Sequence, residues 1–309
     1  MTLQLERRRV RLSGGEVAYA DLGEGPAVLL IHGFPTNANL WRREAWLLAQ
    51  RMRAIVPDLL GYGGSEKPSD ADLSEPAQAG YMQELLEHLG IDEVAVVGHD
   101  IGGAVAQMLA LDGSVGVRAL ILLDSACFDA WPIDGVKMLQ DATPDQQTTE
   151  FMEEVVRLTF DLGVQHKERM ELDAVEQYIA PWRADPAAYF RATRAISGRG
   201  LAGRDEELAA LDLPAMMIWG EDDPFIGSEL AERLGETIPG STVALLPGCA
   251  HFITEEAPQT VGPLIFEYLR ARYLGDSHHH DGGGPVEVYL ERPRKPMSFD
   301  LTEDMEEEP

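Results

Sequence analysis

Hydrophobic and polar positions alternate along this chain on two scales. Short apolar runs end at a glycine or a polar residue: AVLLIHG (27–33), AIVPD (54–58), EVAVVGH (93–99), RALILLD (118–124), AMMIWG (215–220) and TVALLPG (242–248). Unbroken apolar runs of this length read as strands buried on both faces, whereas GEVAYADLG (15–23) alternates like a strand with one wet face. Between several of them lie stretches with helical spacing, such as AGYMQELLEHLG (79–90), GGAVAQMLALDG (102–113) and SELAERLGETI (228–238). Strands and helices in alternation predict an α/β fold, a mostly parallel central sheet flanked by helices. In such sheets reacting groups collect at the carboxyl ends of the strands.

The rhythm breaks once. From 127 to 208 only helical patterns occur, among them TTEFMEEVVRLTFDLG (148–163) and LDAVEQYIAPWR (172–183). This predicts a helical cap at 127–208, inserted between core segments at 1–126 and 209–274. Beyond Leu274 the chain runs through GDSHHHDGGGP into an acidic tail, 275–309, read as a flexible appendage in which VEVYLER (286–292) is strand-like. A metal on the HHHD of that tail (278–281) would be adventitious.

Charge narrows the partners. With 53 Asp and Glu against 25 Lys and Arg, the 309-residue chain carries −28, of which −7 falls in 275–309. A polyanion repels nucleic-acid phosphates and anionic lipid surfaces, so neither nucleic acid nor a membrane is an expected partner. The two cysteines, Cys127 and Cys249, form no CxxC, and no signal-peptide or membrane-length apolar stretch is readable. These features predict a cytoplasmic protein; none of them speaks to oligomeric state.

The string VVGHDIGG (96–103) carries most of the chemistry. A strand gives way to a helix within a few residues, and Gly98, Gly102 and Gly103 permit a sharp turn that thrusts Asp100 into a cleft. Backbone N–H groups at the helix start stabilise an anion there. Taken alone, Asp100 could equally be an N-cap. Two further strand ends favour chemistry. EDDPF follows AMMIWG and presents Asp222 and Asp223; CAHF follows TVALLPG and presents His251. Nucleophile, acid and histidine stand in the chain order of an α/β-hydrolase triad.

From about residue 10 to 274 the chain resembles the α/β-hydrolase fold family, in particular its Asp-nucleophile branch of epoxide hydrolases, haloalkane dehalogenases and haloacetate dehalogenases. The resemblance rests on HGFP (32–35), DLLGYGGSEKP (58–68), VGHDIGG (97–103), WGEDDPF (219–225) and GCAHFITEEAP (248–258). It implies Asp100 as nucleophile, His251 as base and Asp223 as acid, with the backbone N–H groups of Phe34 and Ile101 as oxyanion hole. Asp124, at the end of the preceding strand, is the alternative acid. A carboxylate needs no base to attack a saturated carbon. His251 would then activate the water that hydrolyses the resulting ester. Attack on an ordinary ester would give an anhydride, which disfavours esterase chemistry. The implied partners are a small apolar substrate and water, with no metal or organic cofactor.

The leaving group stays open. The family's usual halide donors, a Trp after the nucleophile and an Asn in HGNP, are replaced by Ile101 and Phe34. That pattern resembles epoxide hydrolases, whose cap supplies a tyrosine pair; Tyr178 and Tyr189 are the candidates, although Phe190 competes with Tyr189 for the second position. Trp131 and Trp182 are the candidate halide donors from the cap. A non-catalytic, ligand-binding member of the fold is the alternative outside enzymes, and it gains nothing from a carboxylate buried beside a histidine.

Only four of the 25 bases are lysines, Lys67, Lys137, Lys167 and Lys295. An acidic, lysine-poor surface suits a salt-rich setting, where self-repulsion is screened, as well as it suits an ordinary acidic protein. A salt-rich setting predicts a thermal midpoint that keeps rising as KCl is added above the physiological ionic strength of about 0.15 M. A maximum near that ionic strength rules the setting out.

Overall fold

Residues Val28, Leu29, Leu30 and Ile31 are completely buried because β3 (Ala27–Ile31) lies near the middle of a nine-stranded sheet. The structure, a computed structural model, describes residues 5–171, 173–275 and the strand at 286–289. The other strands are β1 (Arg8–Arg11), β2 (Glu16–Leu22), β4 (Arg53–Pro57), β5 (Glu93–His99), β6 (Gly116–Leu123), β7 (Ala215–Gly220), β8 (Thr242–Leu246) and β9 (Val286–Tyr289). Their order is β1-β2-β4-β3-β5-β6-β7-β8-β9. Only the β1–β2 and β2–β4 pairs are antiparallel; from β4 to β9 every neighbour is parallel. The continuous apolar runs β3, β5 and β7 fill the interior, as two-sided burial requires.

Two elements lie beyond the patterns read from the sequence. β1 is RRVR, with only Val10 buried, so its strand character rests on pairing with β2 rather than on hydrophobicity. Helix Pro258–Arg272 carries Gly262 and Pro263 inside it, which blur helical periodicity. Val286–Tyr289 does form a strand, parallel to β8. The His278–His280 run lies outside the described residues.

The helices in chain order are α1 (Arg42–Leu48), α2 (Glu75–His88), α3 (Ile101–Asp112), α4 (Asp134–Gln140), α5 (Thr149–Leu162), α6 (Ala174–Ile179), α7 (Pro186–Ala195), α8 (Asp205–Ala209), α9 (Glu229–Thr237), α10 (Ile253–Glu256) and α11 (Pro258–Arg272). Between β6 and β7 the described residues contain helices and no strand. None of the described helices is long and apolar enough to cross a membrane.

The helices between β6 and β7 are fastened to the rest at specific points. Phe160 of α5 stacks on Phe252 with ring centroids 4.1 Å apart, and the Phe252 N–H donates to the Gly163 carbonyl at 3.0 Å. Glu171 and Tyr178 also tie this segment to a buried ionic cluster in the core. Arg42 in α1 makes a two-pronged bond to Glu255 in α10, at 2.5 and 2.8 Å, with both side chains fully buried. Arg43 joins at 3.0 Å and also reaches Glu171, and the Tyr178 hydroxyl donates to the same Glu255 carboxylate. Burial opposes the charge on Glu255, but Arg42, Tyr178 and Arg43 outweigh it and hold the carboxyl below its ordinary range. Glu44 beside them has no hydrogen bond to either side-chain oxygen, and burial pushes it up to about 8, so it is neutral at pH 7.

Removing one member of a buried, hydrogen-bonded ion pair strands the other in a dry site. Arg42→Met is therefore expected to cost about 3–5 kcal/mol of stability, read as a fall in the urea midpoint. A loss under about 1 kcal/mol, the scale of exposed pairs, would show that Glu255 does not depend on Arg42.

Candidate active site

Asp100 occupies the junction between β5 and α3 with φ 55° and ψ −123°. A non-glycine residue in that conformation costs of order 1–3 kcal/mol and persists only where its surroundings impose it. Here they do. A Cβ at Gly98 would come within 2.3 Å of the Gly102 carbonyl oxygen, and one at Gly102 within 2.3 Å of the Ile31 carbonyl oxygen. The turn closes only because both positions are bare. Behind it, the Gln107 amide donates to the Gly103 and Ala126 carbonyls, at 3.1 and 2.9 Å, and locks the first turn of α3 against the end of β6.

The carboxylate of Asp100 is almost fully buried. Its Oδ1 accepts from the Phe34 N–H at 2.8 Å, and the Ile101 N–H also bonds the carboxyl. The two backbone donors predicted for an oxyanion hole thus converge on this group. His32 steadies the loop that carries Phe34: its Nε2 accepts from the Leu59 N–H at 3.0 Å, which places the proton on Nδ1, facing the Gly33 carbonyl at 2.9 Å. Burial pushes Asp100 up to about 6, against the pull of His251 and of the two N–H groups. At neutral pH it is an ionised carboxylate in a dry site.

His251 follows β8. Its Nδ1 lies 2.8 Å from Asp223 Oδ2, and its Nε2 lies 3.9 Å from Asp100 Oδ2. Asp223 is itself pinned, since its Oδ1 accepts from the N–H groups of Phe225 and Ile226 at 2.8 and 3.1 Å. The imidazole is sandwiched edge-on by Phe225 and Phe252, with centroids 5.3 and 4.9 Å away. His99, the last residue of β5, has its Nε2 3.0 Å from the His251 carbonyl oxygen. Burial, with the charge of His251 adding to it, holds His99 far below its ordinary value, so it is neutral.

Asp124 is placed elsewhere. Its Oδ1 accepts from the Gly220 N–H at 2.8 Å, and its buried Oδ2 has no hydrogen-bond partner. Burial and then the Asp223 charge push it far up, so it is a neutral acid bracing the end of β7 rather than a partner of the histidine. Burial likewise pushes Cys127 and Cys249 up to about 12, which leaves both thiols protonated and inert.

Over Asp100 and His251 lies an apolar cavity of about 290 Å³, walled by Phe34, Trp131, Val136, Phe151, Val155 and Phe225 among others. The four aromatics considered as leaving-group donors separate here. Trp131 lines the cavity, and its indole N–H is buried without a partner. Tyr189 packs its ring on Phe34, 5.1 Å between centroids, and its hydroxyl is also buried and unpartnered. Tyr178 is a correction to the expected tyrosine pair. Its hydroxyl is spent on Glu255 and its ring stacks on Phe160. Trp182 packs against Tyr62 and Tyr189, and neither it nor Tyr189 lines the cavity; Tyr189 stands behind Phe34. Phe190, the sequence competitor of Tyr189, stacks on Phe151.

Sequence reading overlooked Tyr62, whose buried hydroxyl lacks a partner beside Trp182, and it overlooked Glu256. The latter accepts from the Ala250 N–H at 2.9 Å and from the His166 N–H at 2.6 Å, fixing the residue before His251 to the helical segment above. The adjacent acids in FITEEAP were the available signal. Among the described residues no three His, Cys, Asp or Glu side chains converge to hold a metal.

Comparison with known proteins agrees with this geometry. Residues 26–258 match the family described as alpha/beta hydrolase fold. Haloalkane dehalogenase 2 of Mycobacterium tuberculosis is 30% identical over 272 residues, which cover 85% of this chain and 94% of that protein. The soluble epoxide hydrolase of Corynebacterium sp. is 29% identical over 287 residues, 84% of this chain and 96% of that one. Among solved structures, an alpha/beta hydrolase fold protein from Burkholderia ambifaria superposes with a TM-score of 0.79 at 28% identity, covering 86% of this chain and 98% of its own.

The titration of His251 follows from its contacts. Burial alone would lower it, but the Asp223 charge, their hydrogen bond and the Asp100 charge outweigh burial and raise it above 6.5. A raised histidine contributes stability that is complete below its unfolded value and lost as pH climbs through the folded one. Asp223→Asn is expected to lower the imidazole pKa, read by NMR, and to destabilise the protein more at pH 6 than at pH 9. An unchanged imidazole pKa would mean that the contact carries no charge.

Proposed function

The chain belongs to the α/β-hydrolase fold family, and from that premise we propose that this hydrolase opens a small apolar electrophile, an epoxide in the first instance, through a covalent ester on Asp100. The observation that carries the reading is the setting of Asp100: a carboxylate on a strained elbow, bonded to the Phe34 N–H, 3.9 Å from an imidazole and facing an apolar cavity. Such a group is costly to bury and does nothing for packing.

In this scheme Asp100 Oδ2 attacks the less hindered epoxide carbon as the ring C–O bond breaks. The alkoxide needs a proton, and its donor is assigned to the buried, unpartnered hydroxyl of Tyr189, which stands behind the Phe34 wall of the cavity. Burial raises that hydroxyl well above the phenol range, which keeps it protonated until a base as strong as an alkoxide arrives. His251 then removes a proton from water, which attacks the carbonyl carbon of the ester. Asp223 holds the imidazole by Nδ1 and stabilises the imidazolium. Negative charge gathers on the oxygen that faces the Phe34 and Ile101 N–H groups, where preorganised donors are worth most. Collapse expels the diol oxygen, which takes its proton from the imidazolium; the second proton of the water, left on the Asp100 carboxyl, returns to the Tyr189 phenolate, so that both groups are restored.

One observation favours a second reading, haloalkane hydrolysis. The unpartnered Trp131 N–H lines the cavity, and a departing halide needs only such a donor. The two readings separate by substitution. Tyr189→Phe should cut diol formation from a terminal epoxide by about 10²-fold or more and spare bromide release from a bromoalkane. Trp131→Phe should do the reverse. In either case His251→Gln should halt after the first step, so that intact-mass spectrometry finds the protein heavier by the substrate's carbon skeleton. A His251→Gln protein that consumes no substrate and carries no added mass rules out the ester.

A further inference from the structure

Among the described residues four large hydrophobic side chains stand exposed: Trp46, Met138, Leu158 and Leu162. Three of the four, all but Trp46, line the cavity that holds Asp100 and His251. The sequence pattern of α5 explains how they come to be there. One stripe of the helix, Met152, Val156 and Phe160, is buried in the interior. A second stripe, Phe151, Val155, Leu158 and Leu162, follows the same helical spacing on another face, and all four line the cavity. Exposure rises along it, from half-buried Phe151 and Val155 to Leu158 at 52% and Leu162 at 51%. From the α4 side Met138, 78% exposed, closes the same rim.

An ordinary cap helix needs one apolar stripe. The outer half of the second, Leu158 and Leu162, stays exposed, yet it continues the cavity wall outward from Phe151, which stacks on Phe190. Apart from Asp100 and His251, no residue lining the cavity is charged, in a chain of net charge −28. The cavity itself, about 290 Å³, sits at the small end of ligand sites, which run roughly 300–1,000 Å³. Its open end is the part lined by Met138, Leu158 and Leu162, so a substrate that reaches from Asp100 toward solvent meets hydrocarbon there rather than charge.

We infer that the rim formed by Met138, Leu158 and Leu162 is a subsite for the alkyl tail of an extended, uncharged substrate, whose reacting carbon lies at Asp100 while its chain emerges across α5. The inference rests on the reading of Asp100 given above and adds the class of substrate: linear, unbranched and apolar beyond the reacting end. The charge of the chain opposes the other occupants of an apolar rim, a second copy of this protein or an anionic lipid surface.

A chain-length series tests it. Terminal 1,2-epoxyalkanes and 1-bromoalkanes from four to twelve carbons are compared by kcat/KM. Each methylene that is fully buried raises kcat/KM about fourfold. Along a rim that covers only one side, about twofold per methylene is expected, continuing beyond the length the cavity can enclose. Leu158→Ser/Leu162→Ser should lower the ratio of ten-carbon to four-carbon kcat/KM by at least about tenfold, whereas Trp46→Ser, outside the cavity, should leave that ratio as it is. A wild-type series that goes flat beyond about six carbons overturns the inference, and so does a double variant that keeps the wild-type ratio. Should no epoxide or bromide be consumed, the chemistry has failed, and calorimetric binding of 1-alkanols of the same lengths decides the subsite alone. A chain-length gain in affinity that the double variant loses upholds the subsite; equal gains in both proteins overturn it.

Discussion

A carboxylate that stays charged while cut off from water governs the rest of this structure. Asp100 is nearly inaccessible, and burial alone would protonate it. Two backbone N–H groups and a nearby imidazole recover part of what hydration would have supplied, enough to hold the group at about 6. Every element that touches it serves that balance. The bare positions 98 and 102 let β5, α3 and the end of β3 meet closely enough for the donors to point at one atom pair, and His32 fixes the loop on the opposite side. The aromatic walls keep the balance from being settled by solvent. Such a group is unstable by design, and its reactivity and its cost to the fold have one origin.

The second half of the arrangement is a division of roles among three carboxyl groups. Asp124, Asp223 and Asp100 lie close together at the sheet's carboxyl edge, yet each has different partners. Burial and then the Asp223 charge push Asp124 far up, with a single N–H, that of Gly220, to oppose them. Asp223 has two N–H donors and an imidazole. With Oδ1 held by those two N–H groups, Asp223 turns Oδ2 to the imidazole Nδ1, which leaves Nε2 on the side of Asp100.

Much of this was legible in the chain. The strands β3, β5 and β7 announce themselves as apolar runs, because a strand covered on both faces has no polar position to interrupt it. Asp100, Asp223 and His251 each follow such a run within a few residues, so the sheet itself delivers them to one edge. The helices above the sheet were harder to read. Tyr178 and Tyr189 have similar local sequence settings, and which hydroxyl is free depends on Glu255, 77 residues from Tyr178. The direction a helical side chain takes is set by what it packs against, and no local pattern encodes that. β1 was invisible for a related reason: its only apolar residue is Val10, and pairing, not composition, makes it a strand.

The tie between α10 and the helices above it has a consequence for how this architecture can be varied. Glu255 and Glu256 lie four and five residues after His251 and are bonded at once to α1, to Tyr178 and to the backbone at His166. The base and the roof are therefore registered to each other by a common fastening. Grafting the roof of a related protein onto this sheet would have to carry equivalents of Tyr178 and of the His166 N–H, or the graft would shift the imidazole along with the walls. α4, by contrast, is tied by Gln140 to the Thr193 and Ile196 carbonyls and by no described hydrogen bond to α10, so its edge of the roof is free to diversify while the histidine keeps its station.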